Sequence, residues 1–289
     1  MGWDTLARMK KSLSITGFTT CLLLAASGFE TATAELPSLG IQPWFGYYAV
    51  FANKRIQFSM ASAGKIGVLP VLEKGPALAE NFRIPIEIFL EQAQVGGTAT
   101  PMTIVPESLN SSQPASDKLE KAVIHGKTTS DVSFELVLEQ ARGVISISGH
   151  VLDSGTLPKN SIRLGARMIV PFYYKQEKPL EGKEEKAFQK KIANDHLELK
   201  TVDGKHKKQL FASEVDASSN TFNEPAISEV KIEVPSIYGT RKLEIVASPT
   251  TSITFKNEKT QLWKGFTMTW VSDPLKDPEG KARLTIEGK

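Results

Sequence analysis

The chain has 289 residues, of which 40% are hydrophobic and 23% are charged, and its 35 basic and 32 acidic residues give a net charge of +3. This near balance excludes the strongly basic surface that is typical of nucleic-acid-binding proteins. The single cysteine, Cys21, excludes an intramolecular disulfide bond.

Residues 1–34 predict a cleavable signal peptide. Three basic residues precede an uncharged run, 12–29, and Ala32-Thr33-Ala34 supplies the small-x-small pattern of a cleavage site. A transmembrane helix needs about 20 predominantly apolar residues, and this run is shorter and rich in Thr, Ser and Gly. The residues before Cys21 match a lipoprotein signal poorly. We therefore expect cleavage after Ala34, no remaining membrane span, and export to the periplasm or the extracellular space.

From residue 36 onward, apolar and polar residues alternate over many short segments, which is the pattern of strands with one buried face. The clearest segments are 56–60, 65–68, 83–88, 132–136, 144–148, 230–234, 242–245 and 283–286. Turn-forming Gly, Pro and Asp residues separate them. We predict an all-β fold, an antiparallel β-sandwich that is either one large sandwich or two adjoining ones, with one short helix near 184–194.

Two segments have nearly the same sequence, IEIFLEQA at 86–93 and FELVLEQA at 134–141. A shared structural constraint, an old permuted duplication and chance each explain the likeness. We favour the shared constraint, because a strand with one face in the core alternates in this way. The inward side chains are then Ile86, Ile88 and Leu90 in the first segment and Phe134, Leu136 and Leu138 in the second.

The composition divides the chain after the signal peptide into two β regions. Residues 35–105 form the first and residues 119–289 the second. Residues 96–117 are rich in Gly, Pro, Ser and Thr, which predicts a long surface loop or linker, and we assign the segment between the two regions, 106–118, to it. We call residues 106–118 the predicted linker.

The second region contains the predicted helix and a predicted hairpin. The helix rests on EEKAFQKKIA at 184–193, in which Phe188 and Ile192 are one helical turn apart. The hairpin spans 196–211, and Asp203-Gly204 is predicted as its two-residue turn. That register places Leu197 opposite Leu210.

Motifs for metal, nucleotide or nucleophilic chemistry are missing from the sequence. The four histidines, His125, His150, His196 and His206, show none of the usual zinc spacings. The predicted hairpin register also places His196 and His206 on opposite faces. There is no G-x-S-x-G elbow, no Walker loop and no dinucleotide fingerprint. We therefore predict no catalytic residue, no metal site and no cofactor.

Clustered aromatic residues are the one sequence feature that is compatible with ligand binding. Flat aromatic side chains can stack on sugar rings, and a tyrosine hydroxyl needs water or a partner. The candidate ligand-binding residues are Trp44, Tyr47, Tyr48, Tyr173 and Tyr174. By contrast, Phe266, Met268 and Trp270 alternate with threonines and are predicted to lie in the core.

These observations favour a non-enzymatic binding or structural module of the cell envelope that interacts with a glycan or an envelope protein. The alternative is a carbohydrate-active enzyme, whose two carboxylates would have to lie about 5 to 9.5 Å apart in a cleft. An outer-membrane barrel needs strands of about 9–11 residues, and the alternating segments here are shorter.

Overall fold

The computed structural model describes residues 36–73, 78, 82–94, 98–170, 180–212, 223–257, 266–278 and 280–289. The described part contains sixteen strands and two helices, so the all-β prediction is confirmed. None of its helices has both the length and the apolar character that a membrane crossing needs. The predicted signal peptide lies outside the described residues.

The strands and helices have the following bounds. The strands are β1 (Tyr47–Ala52), β2 (Ile56–Ala61), β3 (Ile66–Pro70), β4 (Ile84–Gln92), β5 (Thr100–Met102), β6 (Lys121–Lys127), β7 (Ser133–Ala141), β8 (Val144–Asp153), β9 (Ile162–Val170), β10 (His196–Thr201), β11 (His206–Leu210), β12 (Ile227–Glu233), β13 (Lys242–Ala247), β14 (Ile253–Asn257), β15 (Phe266–Val271) and β16 (Arg283–Gly288). The helices are α1 (Gly182–Lys191), where a short helix is predicted, and α2 (Pro235–Tyr238).

All sixteen strands belong to one sheet in which the paired strands are antiparallel. Their order is β1-β2-β3-β4-β9-β15-β14-β12-β13-β16-β8-β7-β6, with β5 beside β4, β10 beside β12 and β11 beside β10. The pairing of β4 with β9 joins strands of the two predicted β regions. The sheet is nearly closed and barrel-like, so antiparallel all-β architecture is confirmed, whereas separation into two packed sheets is not.

The predicted linker lies between β1 and β6, the two strands at the ends of this order. Ser116 N–H donates to the carbonyl of Tyr48 at 2.9 Å, and Val50 N–H donates to the carbonyl of Ser116 at 2.9 Å. On the other side, Asn110 and His125 exchange two backbone hydrogen bonds of 2.9 Å. The predicted linker is therefore hydrogen-bonded to both end strands and completes the ring of backbone.

The predicted alternation of buried and exposed side chains holds along most strands. On β7 the side chains of Phe134, Leu136 and Leu138 are buried, as predicted. On β15 the predicted core residues are buried as well, namely Phe266, Met268 and Trp270. Apolar burial on this scale is the main favourable term in folding.

Strand β4 departs from simple alternation. Ile86 and Leu90 are buried as predicted, but Ile88 is only half-buried, and Phe89 on the opposite face is buried too. The Phe89 ring lies beside Gly165 on the neighbouring β9, and the Arg167 guanidinium lies 4.8 Å from its centroid. The absence of a side chain at Gly165 leaves room for this ring on the outer face.

The predicted register of the β10–β11 hairpin is wrong by one residue. Thr201 N–H donates to the carbonyl of Lys205 at 2.9 Å, so the loop contains three residues, with Gly204 at a φ of 84°. Strand pairing places His196 opposite Leu210 and Lys200 opposite His206. Directly opposed residues share a face, and alternate residues of one strand do as well, so the two histidines lie on the same face.

Candidate functional site

Residues 40–47, which we call the aromatic loop, precede and enter β1. Leu39 N–H donates to the carbonyl of Tyr47 at 2.8 Å, and Gly46 N–H donates to the carbonyl of Leu39 at 3.0 Å. Gly46 has a φ of 82°, a conformation that glycine adopts without a steric penalty. These bonds hold the base of the loop against the sheet, so its side chains are presented from a fixed backbone.

The aromatic loop carries two exposed apolar side chains and two half-buried aromatic rings. Phe45 is 69% exposed and Ile41 is 54% exposed, while Trp44 and Tyr47 are half-buried. The Trp44 and Tyr47 rings meet edge to face, with centroids 6.0 Å apart. The Arg83 guanidinium carbon lies 5.4 Å from the Tyr47 ring centroid. This arrangement combines two supported aromatic rings, a protruding third ring and a cation at one side.

Tyr48, which is also predicted to bind a ligand, is not part of this surface. Tyr48 is 1% exposed, and its hydroxyl donates to Ser111 Oγ at 2.7 Å. Burial raises the pKa of the Tyr48 phenol above its usual value. The expectation of an exposed Tyr48 is therefore wrong, because Ser111 takes the place of solvent. Tyr173 and Tyr174 lie outside the described residues.

At two places in the structure, a basic side chain lies between two carboxylates. Arg163 lies 4.0 Å from Glu91 and 3.6 Å from Asp273. Lys231 likewise lies 3.2 Å from Glu229 and 3.8 Å from Glu244, on the outer face of β12 and β13. A glycosidic bond would have to lie between two such carboxylates, and here a basic side chain occupies that space. These two groups do not favour the enzyme alternative.

A third group, which we call the His196 cluster, has a different composition. His196 Nε2 lies 3.8 Å from Glu198 Oε1 and 3.7 Å from Glu233 Oε2. One ligand atom from each of the three side chains lies within 4.8 Å of the other two. Imidazole and carboxylate groups are donors that divalent transition metals accept. The sequence analysis predicted no metal site, and the His196 cluster is a group of three side chains that could hold an ion.

The sequence indicates that two members of the His196 cluster share a face, but it does not indicate the third. His196 and Glu198 are two residues apart on β10, a spacing that puts both side chains on one face of a strand. Glu233 comes from β12, and it lies opposite His196 only through the pairing of those two strands. That pairing joins distant parts of the chain and cannot be read from local alternation.

Comparison with known proteins gives little beyond this geometry. No family model and no curated protein matches the sequence. Among solved structures, the Slr1438 protein from Synechocystis sp. PCC 6803 is similar over 89% of this chain and 97% of its own, with 8% identity and a TM-score of 0.42. A galactose mutarotase related enzyme from Lactobacillus acidophilus is similar over 84% and 97%, with 8% identity and a TM-score of 0.39. At these TM-scores neither likeness carries an argument about function.

Proposed function

We propose that the protein is an exported, non-enzymatic binding module of the cell envelope and that the aromatic loop contacts a glycan. The observation that carries the proposal is the exposure of Phe45, at 69%, next in sequence to Trp44, whose half-buried ring contacts Tyr47. An exposed aromatic ring on an ordered backbone offers a large contact area with little conformational entropy to lose on binding.

A glycan suits this surface because one face of a sugar ring presents mainly C–H groups and its edges carry hydroxyls. The C–H face can pack on the Trp44 or Phe45 ring. Arg83 places a half-buried cation beside Tyr47, and its Nη1 donates to Ser59 Oγ. Interfaces commonly combine aromatic anchors with such a polar rim.

The proposal is tested with W44A and F45A variants on a glycan array, followed by affinity measurement on the best ligand. Each substitution removes a contacting ring, so we expect affinity to fall at least about tenfold, as for residues that dominate an interface. The matched control is L275A, because Leu275 is also 69% exposed but lies outside the aromatic loop. Unchanged affinity in W44A and F45A would overturn the proposal.

The same variants separate the glycan proposal from the two other hypotheses. An envelope protein captured through the aromatic loop, without any glycan ligand, would replace the glycan with a protein partner. Hydrolysis of a bound glycan by the wild-type protein would instead favour the carbohydrate-active enzyme. In that case substitution of an acid, not of Trp44, would abolish turnover while leaving glycan binding intact.

We also propose that the sheet folds over into two packed layers. A Cβ at Gly288 on β16 would lie 3.0 Å from Ile56 Cβ on β2, although these strands are far apart in the sheet order. The Tyr238 hydroxyl of α2 donates to the carbonyl of Phe82, just before β4, at 3.0 Å. Such contacts support two opposed arcs of one sheet that pack across a shared core.

A further inference from the structure

The His196 cluster is assembled on one face of two neighbouring strands. His196 and Glu198 project from alternate positions of β10, and His196 lies directly opposite Glu233 of β12. The three side chains therefore reach the same region of the outer face without any rearrangement of the backbone. The cluster lies outside the aromatic loop and has no part in the proposed glycan contact.

The imidazole of His196 is held in one orientation. Its Nδ1 lies 2.8 Å from the backbone carbonyl of Asn194. A carbonyl oxygen only accepts, so Nδ1 carries the proton, and in the neutral ring Nε2 presents a lone pair. Histidines that bind metals commonly donate their second N–H to a carbonyl or carboxylate in this way.

The Nε2 atom faces the two carboxylates from a buried position. The His196 side chain is 9% exposed, and Nε2 has no hydrogen-bond partner among the described residues. The distances of 3.7 and 3.8 Å to the carboxylate oxygens exceed those of a hydrogen bond. A buried polar atom without a partner is unfavourable, and a bound cation would satisfy it.

The oxygens of Glu233 are oriented by a second contact. Lys242 Nζ donates to Glu233 Oε1 at 2.6 Å, which leaves Oε2 directed at His196. Glu198, whose side chain is 45% exposed, closes the group on the solvent side. The cluster thus has two ligand atoms held by hydrogen bonds, on His196 and Glu233, and a third on the partly exposed Glu198 at the solvent side.

The spacing of the donor atoms fits a small divalent ion. Zinc binds imidazole nitrogen at about 2.0–2.1 Å and carboxylate oxygen at about 2.0–2.2 Å, so donors to one tetrahedral ion lie roughly 3.4 Å apart. The two distances from His196 Nε2, 3.7 and 3.8 Å, exceed that value by a few tenths of an ångström, and the two carboxylate oxygens lie within 4.8 Å of each other. A small movement of the exposed Glu198 side chain and of the Glu233 carboxylate covers the difference.

We propose that His196, Glu198 and Glu233 bind one divalent transition-metal ion, with zinc as the preferred ion, and leave a fourth position open to water. Three protein ligands with an open position form the arrangement found where a bound zinc ion acts on a ligand or substrate. The mixed nitrogen and oxygen donors favour zinc over calcium and magnesium, which prefer oxygen alone.

The competing explanation is an imidazolium held by two carboxylates within the charged outer face. The cations around the cluster are Lys242, which contacts Glu233, and Lys231, which lies opposite Glu198 on β12. A protonated Nε2 would donate to a carboxylate at about 2.7–2.9 Å. Both measured distances are about one ångström longer, which favours the metal site.

The test is a titration of the purified, chelator-treated protein with ZnCl2. The titration is monitored by calorimetry and by nitrogen NMR of the histidine rings. We expect one zinc ion per chain, a zinc-induced shift of the His196 Nε2 resonance, and a zinc-dependent rise in Tm. Substitution by H196Q should abolish the binding. The E198Q and E233Q variants should weaken it at least about tenfold.

The matched control is H206Q, which removes a histidine of the adjacent β11 that is not part of the cluster. E198Q changes a partly exposed side chain, so its result stands even if H196Q fails to fold. Zinc binding that persists in E198Q and E233Q, or that is lost in H206Q, overturns the proposal. A His196 ring that stays protonated at Nε2 in the presence of zinc favours the ion pair and also overturns it.

Discussion

At the scale of single residues, Tyr48 and His196 show that residue type does not decide what a side chain contacts. A tyrosine in an aromatic cluster suggested exposure, but the Tyr48 hydroxyl meets Ser111, which is remote in sequence. A lone histidine in a hairpin suggested no metal site, but Glu233 lies beside it. The sequence supplied the candidate side chains, while their partners depend on tertiary contacts.

The Tyr48–Ser111 hydrogen bond is testable by Y48F. The substitution keeps the buried ring and removes one donor, so we expect the free energy of unfolding to fall by about 1 kcal/mol. Ser111 Oγ still donates to the carbonyl of Val123 at 2.7 Å and accepts from Gln113 N–H at 3.1 Å. Urea unfolding of Y48F, S111A and the double variant measures the coupling between the two side chains. A coupling energy near zero would contradict the assignment, and glycan affinity should not change in Y48F.

At the scale of elements, local pattern predicted the strands better than their register. Alternation marks a half-buried strand wherever it pairs, so the buried faces of β7 and β15 could be predicted from the sequence. The hairpin register could not, because Asp203-Gly204 fits a two-residue turn as well as the end of a three-residue loop. Asp203 Oδ1 accepts from Thr201 Oγ1 at 2.5 Å, a bond that lowers the pKa of Asp203 to about 2 and favours the longer loop.

The contact between β4 and β9 depends on Gly165. A Cβ at this position would lie 2.7 Å from Phe89 Cε1 and 2.7 Å from the carbonyl oxygen of Trp270. We expect G165A to lower the free energy of unfolding by about 1–3 kcal/mol, because a methyl group forced into a packed site displaces its neighbours.

Thermal and urea unfolding measure this effect. G40A is the control, since a Cβ at Gly40 has no neighbour within 4 Å. Addition of F89L to G165A should restore part of the loss by removing the contacting ring atoms. Equal stability of G165A and G40A would show that the β4–β9 packing is looser than the structure indicates.

At the scale of the whole molecule, the predicted linker has a structural role that its composition concealed. Gly, Pro, Ser and Thr predict irregular backbone, and residues 106–118 form no strand, only a 3-10 turn at Pro106–Ser108 and two isolated bridges. Their backbone hydrogen bonds to β1 and β6 leave no trace in side-chain pattern, and their side-chain bonds, such as that between Tyr48 and Ser111, join residues that no local pattern connects. The class of the fold could therefore be predicted from the sequence, but the nearly closed ring could not.

Closure of the ring is testable at Ser116. S116P removes the N–H that donates to Tyr48, so we expect the free energy of unfolding to fall by at least about 1 kcal/mol. Exposure of the freed edge of β1 should also promote self-association. The control is S116A, which keeps the N–H. Urea unfolding and light scattering check both effects, and similar results for S116P and S116A would show that the ring does not depend on this bond.

The position of β16 in the strand order affects when the sheet can fold during synthesis. Residues 283–288 insert between β13 and β8, which are separated in the sequence by 88 residues, 154–241. During synthesis both neighbours emerge from the ribosome well before the strand that joins them. Assembly of the sheet must therefore wait for a late segment, and such long-range pairing makes folding slow. Until β16 arrives, β8 and β13 each carry an unpaired edge, and the nascent polypeptide is then most open to chaperones.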